Sequence, residues 1–261
     1  MKVRLLNNLK HCGIFIVNLL ILAFSFTDVV ISQEVQLTAE EQQWLSEHPV
    51  IRSTNALDWA PIDFAENGKA KGLSIDYLNL IAEKVGFKIE YINGQNWAEH
   101  LVMLQAREID ITHSARNTAS RREFLTFSKP YLNLPTVYYG RKGSEPIKSI
   151  DDLTDKRVSI LENFASAEIY KNDYPHFLLH EYKSVKEGLD ALSVGENDVF
   201  PAQLPIANYI ISKEFITGLE VIGGKFFPEN TGEDNVHIAV RKDWPIFMNI
   251  INKGAAAITD R

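Results

Sequence analysis

Ser74-Ile-Asp-Tyr-Leu-Asn-Leu-Ile-Ala-Glu-Lys-Val-Gly86 runs directly into Phe87-Lys-Ile-Glu-Tyr-Ile92. Two periodicities stand back to back there. Tyr77, Leu78, Ile81 and Val85 recur at helical spacing, with Ser74 placed to cap the start and Gly86 to stop the helix. Lys88 to Ile92 then alternates as a strand does. Upstream, Val50–Thr54 reads as a strand, and 55–72 as a long loop with turn formers and room for a small hairpin. These pieces make one strand–helix–strand unit.

The same alternation continues in both directions. Thr38-Ala-Glu-Glu41 fits a capping box before a short helix that Pro49 ends. Asn96 opens a helix with Trp97, Leu101 and Leu104 on one face, and Ile109–Thr112 is a short strand. A polar loop carrying Arg116, Arg121 and Arg122 follows, then a β-rich run over 134–141. A second set begins near 149: strand 158–161, helix 165–172, strand 177–181, helix 184–194, strand 197–200, helix 205–213. A strand over 236–240 and a helix from Asp243 to about Ile258 complete the pattern. Strands alternating with helices imply βαβ units and largely parallel sheets. Two such sets predict an α/β fold of two lobes with a cleft between them.

Composition sets the outer limits. The 261 residues include 45% hydrophobic and 23% charged residues, with a formal charge of −7. Such values exclude a disordered chain or a multi-span membrane protein. No Lys/Arg cluster supplies the concentrated positive charge that a nucleic-acid partner requires. The single cysteine, Cys12, forbids an internal disulfide and cannot build a thiolate metal site. Residues 1–32 read as an export signal: Lys2, Arg4 and Lys10 precede an apolar run from Gly13 to Phe26, with cleavage expected after Ser32. The alternative is an uncleaved anchor. Either reading places the remainder outside the inner membrane, in the periplasm, with a helical extension over 33–48.

Catalytic signatures are absent. There is no glycine-rich phosphate loop, no Gly-x-Ser-x-Gly and no His-Glu-x-x-His. His176 and His180 stand four apart but within a predicted strand, a poor metal pair. His113, at a predicted strand end, reads either as a ligand contact or as a satisfied structural histidine. No catalytic residue, metal or cofactor is expected. A different set converges: Trp59 and Phe64 after the first strand, Ser114, Arg116 and Arg121 after the strand at 109–112, Asn163 and Phe164 after 158–161, and Gln203 after 197–200. All lie at the carboxyl ends of predicted strands, where open α/β sheets bind ligands. Arginine matches a carboxylate bidentately, and aromatics supply an apolar clamp.

Several stretches, in this order and spacing, resemble the bacterial extracellular solute-binding proteins of family 3. They are Asp58-Trp-Ala-Pro-Ile-Asp-Phe64, Gly72-Leu-Ser-Ile-Asp-Tyr-Leu78, Ile109-Asp-Ile-Thr-His-Ser114, Thr118-Ala-Ser-Arg-Arg122, Phe127-Ser-Lys-Pro-Tyr131, Ser184-Val-Lys-Glu-Gly-Leu-Asp-Ala-Leu192 and Ala239-Val-Arg-Lys-Asp-Trp-Pro245. The likeness is strongest to the flytrap input domains of virulence-type hybrid sensor kinases. It implies a type II periplasmic binding protein, or Venus flytrap, with lobe 1 from 49–135 plus 236–261 and lobe 2 from 136–235. A two-segment hinge is expected near 134–141 and 236–241. Arg121 takes the place of the arginine that holds a ligand α-carboxylate, Ser114 and Arg116 the place of neighbouring donors, Trp59 and Phe64 the aromatic wall, and Asn163 and Phe164 the second-lobe turn.

Two departures bear on the ligand. Gln203 stands where amino-acid binders carry an acid for the ligand ammonium, and Arg116 stands where a small hydroxyl is common. The resemblance therefore implies a small polar, carboxylate-bearing or amino-acid-like ligand taken up through an ABC permease. The alternatives are a sensing input domain that works with a separate membrane sensor, or a dehydratase-like enzyme on the same scaffold.

Overall fold

The computed structural model describes residues 35–258 apart from Leu57, Asn163 and 225–233. The expected export signal and its cleavage site lie outside the described residues. Helix α1 (Ala39–Glu47) starts on the expected capping box, in which Thr38 N–H donates to Glu41 Oε2 at 2.7 Å and Thr38 Oγ1 accepts from Glu41 N–H at 3.2 Å.

Strand β1 (Val50–Thr54) leads into a meander of three short strands, β2 (Asp58–Trp59), β3 (Asp63–Glu66) and β4 (Lys69–Lys71), where the sequence suggested at most a hairpin. Helix α2 (Leu73–Val85) buries Ile75, Leu78, Ile81 and Ala82, and Gly86 closes it in the left-handed conformation. Its cap differs from expectation. Gly72 is the N-cap, while Ser74 is buried inside the first turn and accepts a 2.6 Å hydrogen bond from the Tyr131 hydroxyl. The reason is steric. Gly72 has φ of +121°, and a Cβ there would lie 2.3 Å from the Ile62 carbonyl oxygen, so only glycine lets the meander press onto the helix start.

The first sheet runs β5 (Lys88–Ile92), β1, β6 (Ile111–Ala115), β14 (Asn235–Arg241), β7 (Leu125–Phe127), with β8 (Leu132–Asn133) paired to the start of β14. Helix α3 (Trp97–Gln105) enters β6, which starts two residues later than the sequence suggested and carries Ser114 within it. The second lobe centres on β9 (Thr136–Arg141), flanked antiparallel by β12 (Phe200–Gln203) and β13 (Leu219–Gly223). Beside these, β10 (Arg157–Leu161) and β11 (Leu178–Tyr182) pair in parallel. A parallel bridge between Val158 and Val199 joins the two groups. Helices α4 (Ala165–Asp173), α5 (Val185–Ser193) and α6 (Leu204–Lys213) connect them, and α7 (Pro245–Ala256) returns to the first sheet.

The sheets are mixed rather than mostly parallel. Only β1–β5, β1–β6 and β10–β11 among the named strand pairs run parallel. β9 and β14 each enter a sheet from the opposite lobe and so run against their neighbours. The segments where a hinge was expected, 134–141 and 236–241, are themselves largely strand. The two crossing segments lie side by side where Leu132 and Asn133 of β8 pair with Val236 and Asn235 at the start of β14, and Leu134 N–H donates to the Asp234 carbonyl at 2.7 Å.

Each lobe repeats one clamp. Asp110 accepts from Arg52 N–H (3.0 Å), Nε (2.9 Å) and Nη2 (2.8 Å), and from Arg241 Nη1 (3.2 Å). Asp198 accepts from Arg157 N–H (3.0 Å), Nε (2.9 Å) and Nη2 (2.7 Å), and from Arg141 Nη2 (3.3 Å). Both carboxylates sit at the amino-terminal ends of the parallel strands, leaving the carboxyl ends to carry the site.

Gly72→Ala is expected to cost roughly 2 kcal/mol or more, because it combines a positive-φ penalty with a backbone clash. Gly86→Ala, whose Cβ would meet nothing within 4 Å, is expected to cost only about 1 kcal/mol. Urea unfolding of the two variants checks the difference; equal losses would contradict the clash.

Candidate functional site

The carboxyl ends of β1, β6, β10 and β12 converge on one cavity of about 390 Å³, a volume at the small-molecule end of ligand sites. From the first lobe it is lined by Ala56, Trp59, Asp63, Asn96, Trp97, Ser114, Arg116 and Arg121, and from the second by Leu161, Phe164, Lys183, Ser184, Val185, Glu187 and Gln203. Of the expected site residues, Trp59, Ser114, Arg116, Arg121, Phe164 and Gln203 are thus brought together. Phe64 is not among the lining residues. It follows Asp63 on β3, and strand alternation turns successive side chains to opposite faces, so Asp63 takes the cavity side. Asn163 lies outside the described residues.

Arg121 is 3% exposed. Its Nη1 donates to the Arg116 carbonyl at 3.1 Å, and its guanidinium carbon lies 5.0 Å from the centre of the Trp97 ring. Nη2 stands 3.8 Å from Glu168 Oε1 on α4, and the same glutamate accepts from Ser120 Oγ at 2.9 Å. Burial pulls the guanidinium down to about 10, against support from Glu168. It is still a cation at neutral pH. A buried cation at a cavity wall is costly unless an anion meets it.

Arg116 is committed elsewhere than expected. Its Nη1 lies 3.4 Å from Asp234 Oδ1 and its Nη2 3.4 Å from the Leu134 carbonyl. Asp234 Oδ1 also accepts from Thr136 N–H and Oγ1. This arginine therefore ties the cavity to the crossing segments, and much of the positive charge that the sequence assigned to the ligand is balanced by Asp234.

Asp63 was missed by sequence reasoning. Its Oδ1 accepts from Asn55 Nδ2 (2.8 Å) and Ala56 N–H (3.1 Å), while Oδ2 lies 3.1 Å from His113 Nε2. Burial pushes this carboxyl up, but His113, Asn55 and Ala56 together outweigh it and hold the group below the usual aspartate range. His113 is the structural histidine of the two readings: fully buried on β6, with Nδ1 3.1 Å from Ser53 Oγ. Trp97 was missed as a wall because its helical spacing looked like core. Lys183, Ser184 and Glu187 were missed because they look like an ordinary helix start. Ser184 does cap α5, accepting from Glu187 N–H at 3.2 Å, and Glu187 Oε2 accepts from Lys183 N–H at 3.1 Å.

Trp59 Nε1, a donor, and Gln203 Oε1, an acceptor, are polar atoms at the wall that are buried without a hydrogen bond among the described residues. Buried polar groups are rarely left so. Among the described residues, no group of three or more His, Cys, Asp or Glu is placed to hold a metal ion.

The architecture and the cleft place the molecule among two-lobed binding proteins. The chain belongs to the bacterial extracellular solute-binding proteins, family 3, whose profile matches residues 51–261. It is 24% identical over 226 residues to the virulence sensor protein BvgS of Bordetella pertussis, which covers 86% of this chain but only 18% of that one. It is 26% identical over 143 residues to a probable amino-acid-binding protein, YxeM, of Bacillus subtilis, covering 54% of each. The periplasmic VFT2 domain of B. pertussis BvgS superposes with a TM-score of 0.75 at 23% identity, over 86% of this chain and 94% of that one. Holo ArgBP from T. maritima superposes at 0.69 and 21% identity, over 82% and 92%. The fold is that of a periplasmic binding protein of type II, a Venus flytrap.

Asp63 has a folded pKa below its unfolded value of about 3.9. Its contribution to stability is therefore complete above that value and is lost as pH falls through the lower folded value. Asp63→Asn is expected to cost about 3 kcal/mol at pH 7, the range for breaking a buried pair, and to flatten the acid side of a melting-temperature profile below pH 4. An unchanged acid side would show that the contacts with His113, Asn55 and Ala56 together add nothing.

Proposed function

We propose that this chain is a periplasmic solute-binding protein that closes around a small polar ligand bearing a carboxylate, amino-acid-like in size, for ABC-type uptake. One observation carries the reading: Arg121, a buried cation at the wall of a cavity lined by both lobes. Ligand contacts from both lobes would favour the closed arrangement, which is how such proteins couple binding to shape. We assign lobe 1 to 49–135 plus 236–261 and lobe 2 to 136–235, meeting at the crossing segments. Export by the signal-like residues 1–32 belongs to the same proposal.

A second reading has its own support. BvgS and EvgS, at 24% and 20% identity, are sensor proteins of which this chain spans 18% and 19%. A ligand-sensing input role, acting through a separate membrane sensor, fits the same closure. Genes encoding a permease and an ATPase beside this one would favour uptake; a kinase gene would favour sensing. Neither role requires nucleic acid, a cofactor or bond chemistry.

A thermal-shift screen of amino acids and small carboxylates should reveal a stabilising ligand, since binding to the native state raises the melting temperature by mass action. Arg121→Ala is expected to weaken that ligand by at least about thirtyfold in calorimetry, the loss typical of one partner of a buried charge pair. Arg121→Lys, which keeps the charge but not the fork, should fall between. Unaltered affinity in a folded Arg121→Ala variant would overturn the reading.

A further inference from the structure

The charges around the cavity are not equally occupied. Asp63 is spent on His113, Asn55 and Ala56, and Glu187 on the turn before α5. Arg116 is held by Asp234. Lys183 differs. It lines the cavity from the second lobe, its backbone N–H alone is used by Glu187, and among the described residues no carboxylate lies within 4 Å of its ammonium. Gln203, at the end of β12, also lines the cavity; it is 6% exposed, and its Oε1 is a buried acceptor with no hydrogen bond among the described residues. An amide accepts from a neutral O–H or N–H without neutralising a cation, so this wall does little for a ligand ammonium.

From this arrangement we infer that the cavity selects a dianionic carboxylate, one carboxylate on Arg121 and the second toward Lys183 on the opposite lobe, with Gln203 free to bond a hydroxyl or amide of the same molecule. The inference rests on the role proposed above for Arg121 and goes further by naming the ligand class. A ligand with a charge at each end would also draw the lobes together, because its two ends are held by different lobes. A zwitterionic amino acid would present its ammonium to a wall that offers an amide and a lysine.

Calorimetry with succinate, butyrate and L-alanine separates the cases. Succinate and butyrate share a four-carbon chain and differ in the second carboxylate. Succinate is expected to bind about tenfold or more tightly than butyrate, in keeping with an ion pair at a partly screened site. Lys183 is exposed, so Lys183→Ala should fold normally and bring the succinate-to-butyrate ratio to within about threefold. Gln203→Asp should raise the affinity for L-alanine relative to succinate. Equal binding of succinate and butyrate, or a ratio unmoved by Lys183→Ala, overturns the dianion inference. If L-alanine binds more tightly than succinate and loses that binding in Arg121→Ala, the inference falls while the role of Arg121 stands. If Arg121→Ala changes no ligand, both fall.

Discussion

Two aspartates, Asp110 and Asp198, hold the molecule's frame. Each is a carboxylate at the amino-terminal end of the parallel strands, and each collects a strand backbone N–H, a bidentate arginine and a second arginine from the returning strand. An isolated charge so placed would be costly; four donors convert it into a joint. Asp110 is 2% exposed, and the geometry that binds Arg52 also seats Arg241 at the end of β14. With one end of each sheet pinned in this way, the other end is free to be built from loops, turns and helix starts.

The cavity follows from that division. Strand ends from both lobes open onto it, and the meander of β2 to β4 folds over from the first lobe because Gly72 permits the close approach. An apolar cluster containing Ile62, Leu134, Leu161, Val185 and Val236 packs across the same region, so the crossing segments and the cavity share a floor. The electrostatics are a matter of prior commitments. Arg116 and Asp63 serve the frame, Arg121 is met by the Arg116 carbonyl and Glu168, and Lys183 faces the cleft. Counting basic residues near a pocket would have given a different and less useful answer.

Much of the fold was legible because its signals are local. The capping boxes at Thr38 and Asn96, the glycine stop at Gly86 and the helical spacing of Leu78 and Ile81 each act within a few residues. Strand β13 was not read, because it depends on pairing with residues far along the chain. The same contrast divides the site. Arg121, Ser114 and Gln203 could be picked out as polar residues after strands. Phe64 was misassigned since nothing local says which way β3 faces, and Trp97 was taken for core since an apolar ring at helical spacing looks the same over a cavity.

The sequence by itself determined most of the helices and strands, their two-lobed grouping and an arginine that comes to line the cavity, because caps, periodicity and residue type are properties of neighbouring positions. Only the tertiary structure decided which charges remain available. Arg116 meets Asp234 across 118 residues of chain, and His113 meets Asp63 across a strand boundary. Electrostatic pairing depends on distance in space, and distance in space is what a sequence does not state.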